Sequence, residues 1–105
     1  MDMDLREQIL NDLKSMINET LTTEKVKVYL FGSWARNDEK QSSDIDIAVE
    51  AYSEIPSLKW LELQDRVEES LIPYRVDIVN IENASFALIQ NIKKEGIVWR
   101  DFKND

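Results

Sequence analysis

Residues 30–49 of the chain read LFGSWARNDEKQSSDIDIAV, and this stretch decides the fold class. The pair Gly32-Ser33 ends one apolar run, and ten residues later a second run begins with Asp44-Ile45-Asp46. In each run apolar residues recur at every second position, as they do in a strand with one buried face. The polar residues 37–43 between the runs indicate a loop. The stretch therefore predicts one strand before the loop, a turn at Gly32, and a second strand after the loop.

One helix is predicted before this stretch and one after it. Apolar residues at helical spacing predict an amphipathic helix over residues 5–21, with Asp2 and Asp4 placed to cap its first turn. A second helix is predicted from Pro56-Ser57 through about residue 71. The side chains expected to point from this second helix toward the core are Leu58, Leu61, Val67 and Leu71.

The rest of the chain completes a small α/β (α+β) fold. A third helix is predicted after Asn83, a suitable N-cap, and through Glu95, with Gly96 just past its end. Strands are predicted over residues 25–31, 44–50, 74–80 and 97–100. This order predicts a small mixed sheet with the helices packed on one face, which leaves the opposite face free for acidic side chains. We expect a single domain over residues 1–105.

The composition restricts the chemistry that the chain can perform. It contains no cysteine and no histidine, so catalysis would depend on carboxylates and on cations that prefer oxygen ligands. A net charge of −8 repels phosphate backbones, and we therefore expect no direct nucleic-acid binding. No apolar run approaches the length of a membrane span, and the first residues are acidic where a secretory signal is basic. We expect a cytoplasmic protein that does not bind membranes.

Three aspartates form the candidate catalytic group. Asp44 and Asp46 are two positions apart on a strand, so their carboxylates point to the same side and can share divalent cations. If the strand over residues 74–80 lies beside theirs, Asp77 supplies a third carboxylate. Asp77 could accept the proton of an attacking hydroxyl or bind a second metal ion. An isolated Asp-x-Asp is common on solvated strands, but its combination with Gly32-Ser33 is rare by chance.

A candidate phosphate site precedes these acids. Gly32 allows the backbone to turn tightly and approach a ligand, and the next turn can present amide hydrogens and the Ser33 hydroxyl to phosphate. Arg36 could hold a triphosphate oxygen if the segment from Ser33 is a short helix. Trp34 could stack on a base or mark a partner surface, or equally be a partly buried aromatic at a helix start, and it is left unassigned.

The chain resembles a known superfamily. Gly-Ser followed after ten residues by Asp-x-Asp is the hallmark of the DNA polymerase beta-like nucleotidyltransferases, and the small size resembles its minimal nucleotidyltransferase (MNT) branch. The stretches that carry the resemblance are residues 30–36, 43–49 and 75–79, together with the ending Glu95-Gly96-Ile97-Val98-Trp99. The chain departs from the pattern at Trp34, where many members have arginine, and at Asn37, where many have glycine.

The resemblance implies roles, a cofactor and a partner. Gly32 and Ser33 would bind the nucleotide phosphates, Asp44 and Asp46 would hold Mg²⁺, and Asp77 would be the third carboxylate. MNT proteins are often antitoxins of HEPN-domain ribonuclease toxins, and members transfer AMP from ATP to a tyrosine of that partner. The expectation is therefore a protein adenylyltransferase that forms a hetero-oligomer with a HEPN toxin.

Two other functions stay open from the sequence. The chain could be a non-catalytic antitoxin that neutralises its partner by binding and keeps its acids as a relic. It could also be a small-molecule nucleotidyltransferase, although such relatives usually carry a further helical domain. Template-directed or tRNA-tailing activity ranks last, because those enzymes need additional nucleic-acid-binding domains.

Overall fold

The computed structural model describes residues 4–102, which form four helices, one short 3-10 helix and four strands. The helices are α1 (Leu5–Thr20), α2 (Ser33–Arg36), α3 (Ser57–Glu68) and α4 (Phe86–Glu95), and the 3-10 helix covers Ile81–Asn83. The strands are β1 (Val26–Phe31), β2 (Ile45–Ala51), β3 (Val76–Asn80) and β4 (Ile97–Asp101). No helix in residues 4–102 is both long and apolar enough to cross a membrane. Asp4 caps α1 as predicted, whereas Asp2 lies outside the described residues.

The four strands form one mixed sheet in the order β3-β2-β1-β4. Strand β1 pairs antiparallel with both β2 and β4, whereas β2 and β3 are parallel. The crossover between the two parallel strands contains α3, as parallel neighbours require a long connection. The predicted fold class, a small mixed sheet with helices, is therefore confirmed.

One face of the sheet packs against α1 and α3. The strands contribute Val26, Val28, Leu30, Ile45, Ile47 and Val49, and the two long helices contribute Ile9, Leu13, Ile17, Leu63 and Val67. These side chains form one cluster of buried apolar residues. Their removal from water is the main favourable contribution to folding. The alternation seen in the sequence is confirmed, since the apolar residues of β1 and β2 do share this face.

The opposite face is partly covered by α4, which corrects the expectation that the helices lie on one face. That expectation is right for α1 and α3 and wrong for α4. The second face is also apolar where Tyr29, Phe31 and Ala48 lie, and Ile92 of α4 is buried against them. Because α4 removes these side chains from water, burial of apolar surface favours packing of the amphipathic helix there. The acids lie on this second face as predicted, and Asp77 is exposed.

Helix α3 also differs from its prediction. It ends at Glu68, so Leu71 lies beyond it and is 99% exposed. Leu58 and Leu61 are exposed as well, and the buried face of the helix consists of Leu63 and Val67, which are four positions apart. A helix presents one such stripe to a core, and residues 58 and 61 lie outside it. Of the four side chains expected to point inward, only Val67 does so.

Candidate active site

The strand pairing places Asp46 and Asp77 side by side. In the parallel pair β2–β3 the two aspartates are register partners, so their side chains leave the same face of the sheet from neighbouring strands. Asp44 directly precedes β2 and is half-buried, as is Asp46. Asp77 was predicted to join the group if its strand lay beside that of Asp44 and Asp46. The two strands are neighbours, so this condition is met.

On the other side of Asp46 lies Gly32. Phe31, the last residue of β1, is the register partner of Asp46, and the chain turns at Gly32 with φ 76°. A Cβ atom on Gly32 would stand 3.2 Å from Asp46 Cγ and closer still to its Oδ2 oxygen. Position 32 therefore requires glycine for two reasons: its backbone is left-handed, and the Asp46 carboxylate occupies the space of a side chain.

The charge on Asp46 is disfavoured in the protein without a bound cation. Burial raises the pKa of the Asp46 carboxyl above its ordinary value, and the negative charges of Asp77 and Asp44 raise it further. The positive charge of Arg36 acts in the opposite direction but does not reverse the shift. A cation among these carboxylates would relieve the repulsion.

The three carboxylates suit a cation that prefers oxygen ligands. They are not yet arranged as the ligands of one metal ion. Within residues 4–102 no group of three acidic side chains has the spacing of assembled metal ligands. Asp44, Asp46 and Asp77 nevertheless interact electrostatically, as their effect on the pKa of Asp46 shows. Mg²⁺ is bound through one or two carboxylates together with waters and substrate phosphates, so a complete protein cage is not needed. The residues therefore fit Mg²⁺ bound together with a nucleotide.

The phosphate-binding candidates lie in the turn after β1. Ser33 begins α2 and is half-buried, and α2 ends at Arg36, so the short helix on which the role of Arg36 depended is present. The Arg36 side chain is exposed and its Nε lies 3.3 Å from Asp38 Oδ2. Arg36 is therefore close enough to influence Asp46, but its guanidinium is engaged at the surface by Asp38.

Asn37, one of the two departures from the family pattern, keeps the conformation that glycine would adopt. It follows α2 with φ 61° and ψ 32°, in the left-handed region, and its N–H donates to the Ser33 carbonyl. Asparagine is one of the few residue types that enter this region at small cost. The exchange of glycine for asparagine therefore leaves the backbone geometry of the turn accessible.

Trp34, the other departure, is a core residue. Its side chain is 2% exposed, and its ring meets the Tyr74 ring edge-on at a centroid distance of 4.9 Å. Of the three possibilities raised by the sequence, burial at a helix start is the correct one. The contact between Arg6 and Trp34 could not be predicted, because the two residues are far apart in the chain and Arg6 resembles any polar residue of an amphipathic helix.

The sequence matches one protein family over almost its whole length. The family described as "Polymerase beta, Nucleotidyltransferase" matches residues 6–101. The chain is also similar to the protein adenylyltransferase MntA of Thermococcus cleftensis, with 34% identity over 90 residues that make up 85% of this chain and 87% of the relative.

Two solved structures of toxin–antitoxin complexes contain chains that are similar to this one. A chain in the complex of the tri-AMPylated Shewanella oneidensis HEPN toxin with the MNT antitoxin is 25% identical, with a TM-score of 0.67 over 96% of this chain and 76% of that one. A chain of a toxin–antitoxin complex solved with AMP-PNP is 30% identical, with a TM-score of 0.66 over 84% of this chain and 73% of the other.

Proposed function

This chain belongs to the polymerase beta family of nucleotidyltransferases, and we propose that it is an antitoxin that transfers AMP from ATP to a tyrosine of a HEPN-domain ribonuclease toxin. The observation that carries the proposal is that Asp77 and Asp46 are register partners on neighbouring strands and that the Asp46 carboxylate lies against Gly32, in the turn that follows the next strand, β1. In-line displacement at phosphorus needs a phosphate-binding turn, acids that bind metal, and a further acid that can accept a proton.

In this proposal one group of residues holds the nucleotide and another residue activates the acceptor hydroxyl. Gly32 and Ser33 bind the phosphates through backbone amides and the serine hydroxyl, and Asp44 and Asp46 hold Mg²⁺, which, when bound, offsets the negative charge of the triphosphate. Asp77 accepts the proton of the attacking tyrosine hydroxyl. The new bond joins the tyrosine oxygen to the α-phosphorus, the bond to the β-phosphate breaks, and pyrophosphate leaves.

The assignment of nucleotide and partner is supported by the relatives. The Thermococcus cleftensis relative is a protein adenylyltransferase, and the two similar solved structures are toxin–antitoxin complexes, one with AMP-PNP and one with an AMPylated HEPN toxin. The exposed position of Asp77 agrees with an acceptor that is delivered by another protein. A net charge of −8 argues against a long nucleic acid as acceptor.

The proposal is tested by intact-mass spectrometry of a HEPN-domain protein encoded beside this chain, after incubation with the chain, ATP and Mg²⁺. The proposal predicts mass gains of whole AMP units on the HEPN protein, and peptide mapping should assign them to tyrosine. Asp44→Asn and Asp46→Asn should each abolish the gain. Asp65→Asn, an exposed acid on α3, is the matched control and should react like the parent protein.

The same experiment separates the alternatives. A stable complex without any mass gain would contradict enzymatic transfer and favour neutralisation by binding. AMP transfer to a small molecule, with an unmodified HEPN protein, would instead favour a small-molecule nucleotidyltransferase.

A further inference from the structure

Trp34 connects the two halves of the candidate site. It lies in α2 directly after Ser33, and its indole N–H donates to the carbonyl oxygen of Ser43 at 3.3 Å. Ser43 in turn directly precedes Asp44. The Trp34 side chain therefore links the segment that would bind phosphate to the segment that carries the first two acids.

Arg6 of α1 holds Trp34 in this position. Its Nη2 donates to the carbonyl oxygen of Trp34, and its guanidinium carbon lies 5.6 Å from the centroid of the Trp34 ring. The Nε of the same guanidinium donates to Glu39 Oε2 at 2.7 Å, and Glu39 lies within the loop that joins α2 to β2. The Arg6 and Glu39 side chains are 29% and 17% exposed, so this charge-assisted bond is partly shielded from water.

A second aromatic side chain also contacts the Trp34 ring. Tyr74 packs against it edge-on, at an interplanar angle of 75°, and Tyr74 belongs to the segment that leads into β3 and Asp77. Trp34 thus contacts chain segments next to all three acids and the phosphate turn. Tryptophan is suited to this position because it combines a large ring with an N–H donor, which phenylalanine lacks.

We propose that Arg6 and Trp34 act as a positioning clamp that fixes the Gly32-Ser33 turn relative to Asp44 and Asp46. A nucleotide bound through both segments needs them at one separation, and a preformed separation avoids the free-energy cost of ordering them on binding. Arg6 and Trp34 act through Ser33 and Asp44 and are not catalytic residues. The inference rests on the proposed function for its purpose, and on the observed contacts for its geometry.

Hydrogen exchange of the backbone amides tests the clamp itself, without nucleotide or acceptor. Arg6→Gln and Trp34→Phe should each accelerate exchange in residues 37–44 by about 10-fold, since each removes a hydrogen bond across the site. Arg66→Gln is the matched control, because Arg66 also connects α1 to another helix, through Glu19 and Thr20, but is not part of the clamp. It should leave exchange in residues 37–44 unchanged.

Nucleotide affinity tests whether the clamp favours nucleotide binding. With Mg²⁺ and AMP-PNP, calorimetry should show a dissociation constant about 10-fold higher for Arg6→Gln and Trp34→Phe, and within about twofold of the parent for Arg66→Gln. Arg6→Lys keeps a positive charge near Glu39 but cannot reach two acceptors as a planar fork, so it should fall between Arg6→Gln and the parent.

Two results would overturn the clamp: unchanged exchange and affinity in both clamp variants, or equal changes in the Arg66→Gln control, which would assign the effect to α1 packing in general. If the proposed function itself is wrong, the experiments give a different result from these two. In that case the parent protein binds no AMP-PNP, whereas the exchange experiment still decides whether Arg6 and Trp34 hold the two segments together.

Discussion

Asp46 and Asp77 are register partners on two parallel strands, and Asp46 is also the side chain that fills the space beside Gly32. One carboxylate thus lies between the candidate phosphate turn and the candidate proton acceptor. The sheet order β3-β2-β1 produces this arrangement, because it places Asp46 on the middle strand of the three.

The raised pKa of Asp46 predicts a pH-dependent stability in metal-free buffer. Burial, and then Asp77 and Asp44, raise the pKa of Asp46 above the ordinary value of 3.8. The folded state then binds the proton more tightly than the unfolded state, so this contribution to stability is complete below 3.8 and is lost as pH rises through the raised pKa. Asp46→Asn lacks the charge, and its advantage in stability over the parent should grow with pH.

Urea unfolding of both proteins between pH 3.5 and pH 7 measures this difference, with Asp65→Asn as a control whose difference from the parent should stay small. A difference between Asp46→Asn and the parent that does not change with pH would contradict the assignment.

Mg²⁺ should stabilise the folded parent protein, because a ligand that binds only the folded state shifts the unfolding equilibrium toward it. At a Mg²⁺ concentration about tenfold above its dissociation constant, the free energy of unfolding should rise by about 1.4 kcal/mol. The gain should be absent in Asp46→Asn. Thermal unfolding with Mg²⁺ and with Na⁺ at equal ionic strength measures it, and an equal gain in the variant would mean that the ion binds elsewhere.

Gly32→Ala should destabilise the fold for two separable reasons. The left-handed backbone alone costs about 1–2 kcal/mol with alanine, and the overlap with the Asp46 carboxylate adds to that cost. In an Asp46→Ala background only the backbone cost should remain. A double-mutant cycle by urea unfolding gives the coupling, and strictly additive effects would contradict the contact between positions 32 and 46.

The sequence predicted the strands better than it predicted the helices. Alternating apolar residues identify β1 and β2 because one face of each strand is buried, and the Gly32-Ser33 and Asp44-Ile45-Asp46 spacing identifies the turn and the acids. The face on which α4 packs was not predictable in this way, since an amphipathic helix buries its apolar stripe equally well on either side of a sheet. The clamp through Arg6 was also missed, because it depends on tertiary contacts between distant residues.

The start of α4 shows how a local signal can be ambiguous. Asn83 was predicted as the N-cap, but residues 81–83 form a 3-10 helix and Ser85 is the cap, accepting from the Leu88 N–H at 3.2 Å. Both residue types are good caps, so the sequence alone did not distinguish positions two apart. Ser85→Ala should lower the free energy of unfolding by about 1 kcal/mol, and Asn83→Ala should lower it by much less. A larger loss for Asn83→Ala than for Ser85→Ala in urea unfolding would contradict Ser85 as the cap.

The proposed neutralisation by covalent modification can be measured through the ribonuclease activity of the proposed HEPN partner after this chain has been removed. The partner is incubated with the chain, ATP and Mg²⁺, separated from it under denaturing conditions, refolded and assayed, alongside samples treated with Asp46→Asn or without ATP. If AMP transfer neutralises the partner, only the partner treated with the parent chain and ATP stays inactive. Recovery of full ribonuclease activity in that sample would contradict enzymatic neutralisation and would show that binding alone restrains the toxin.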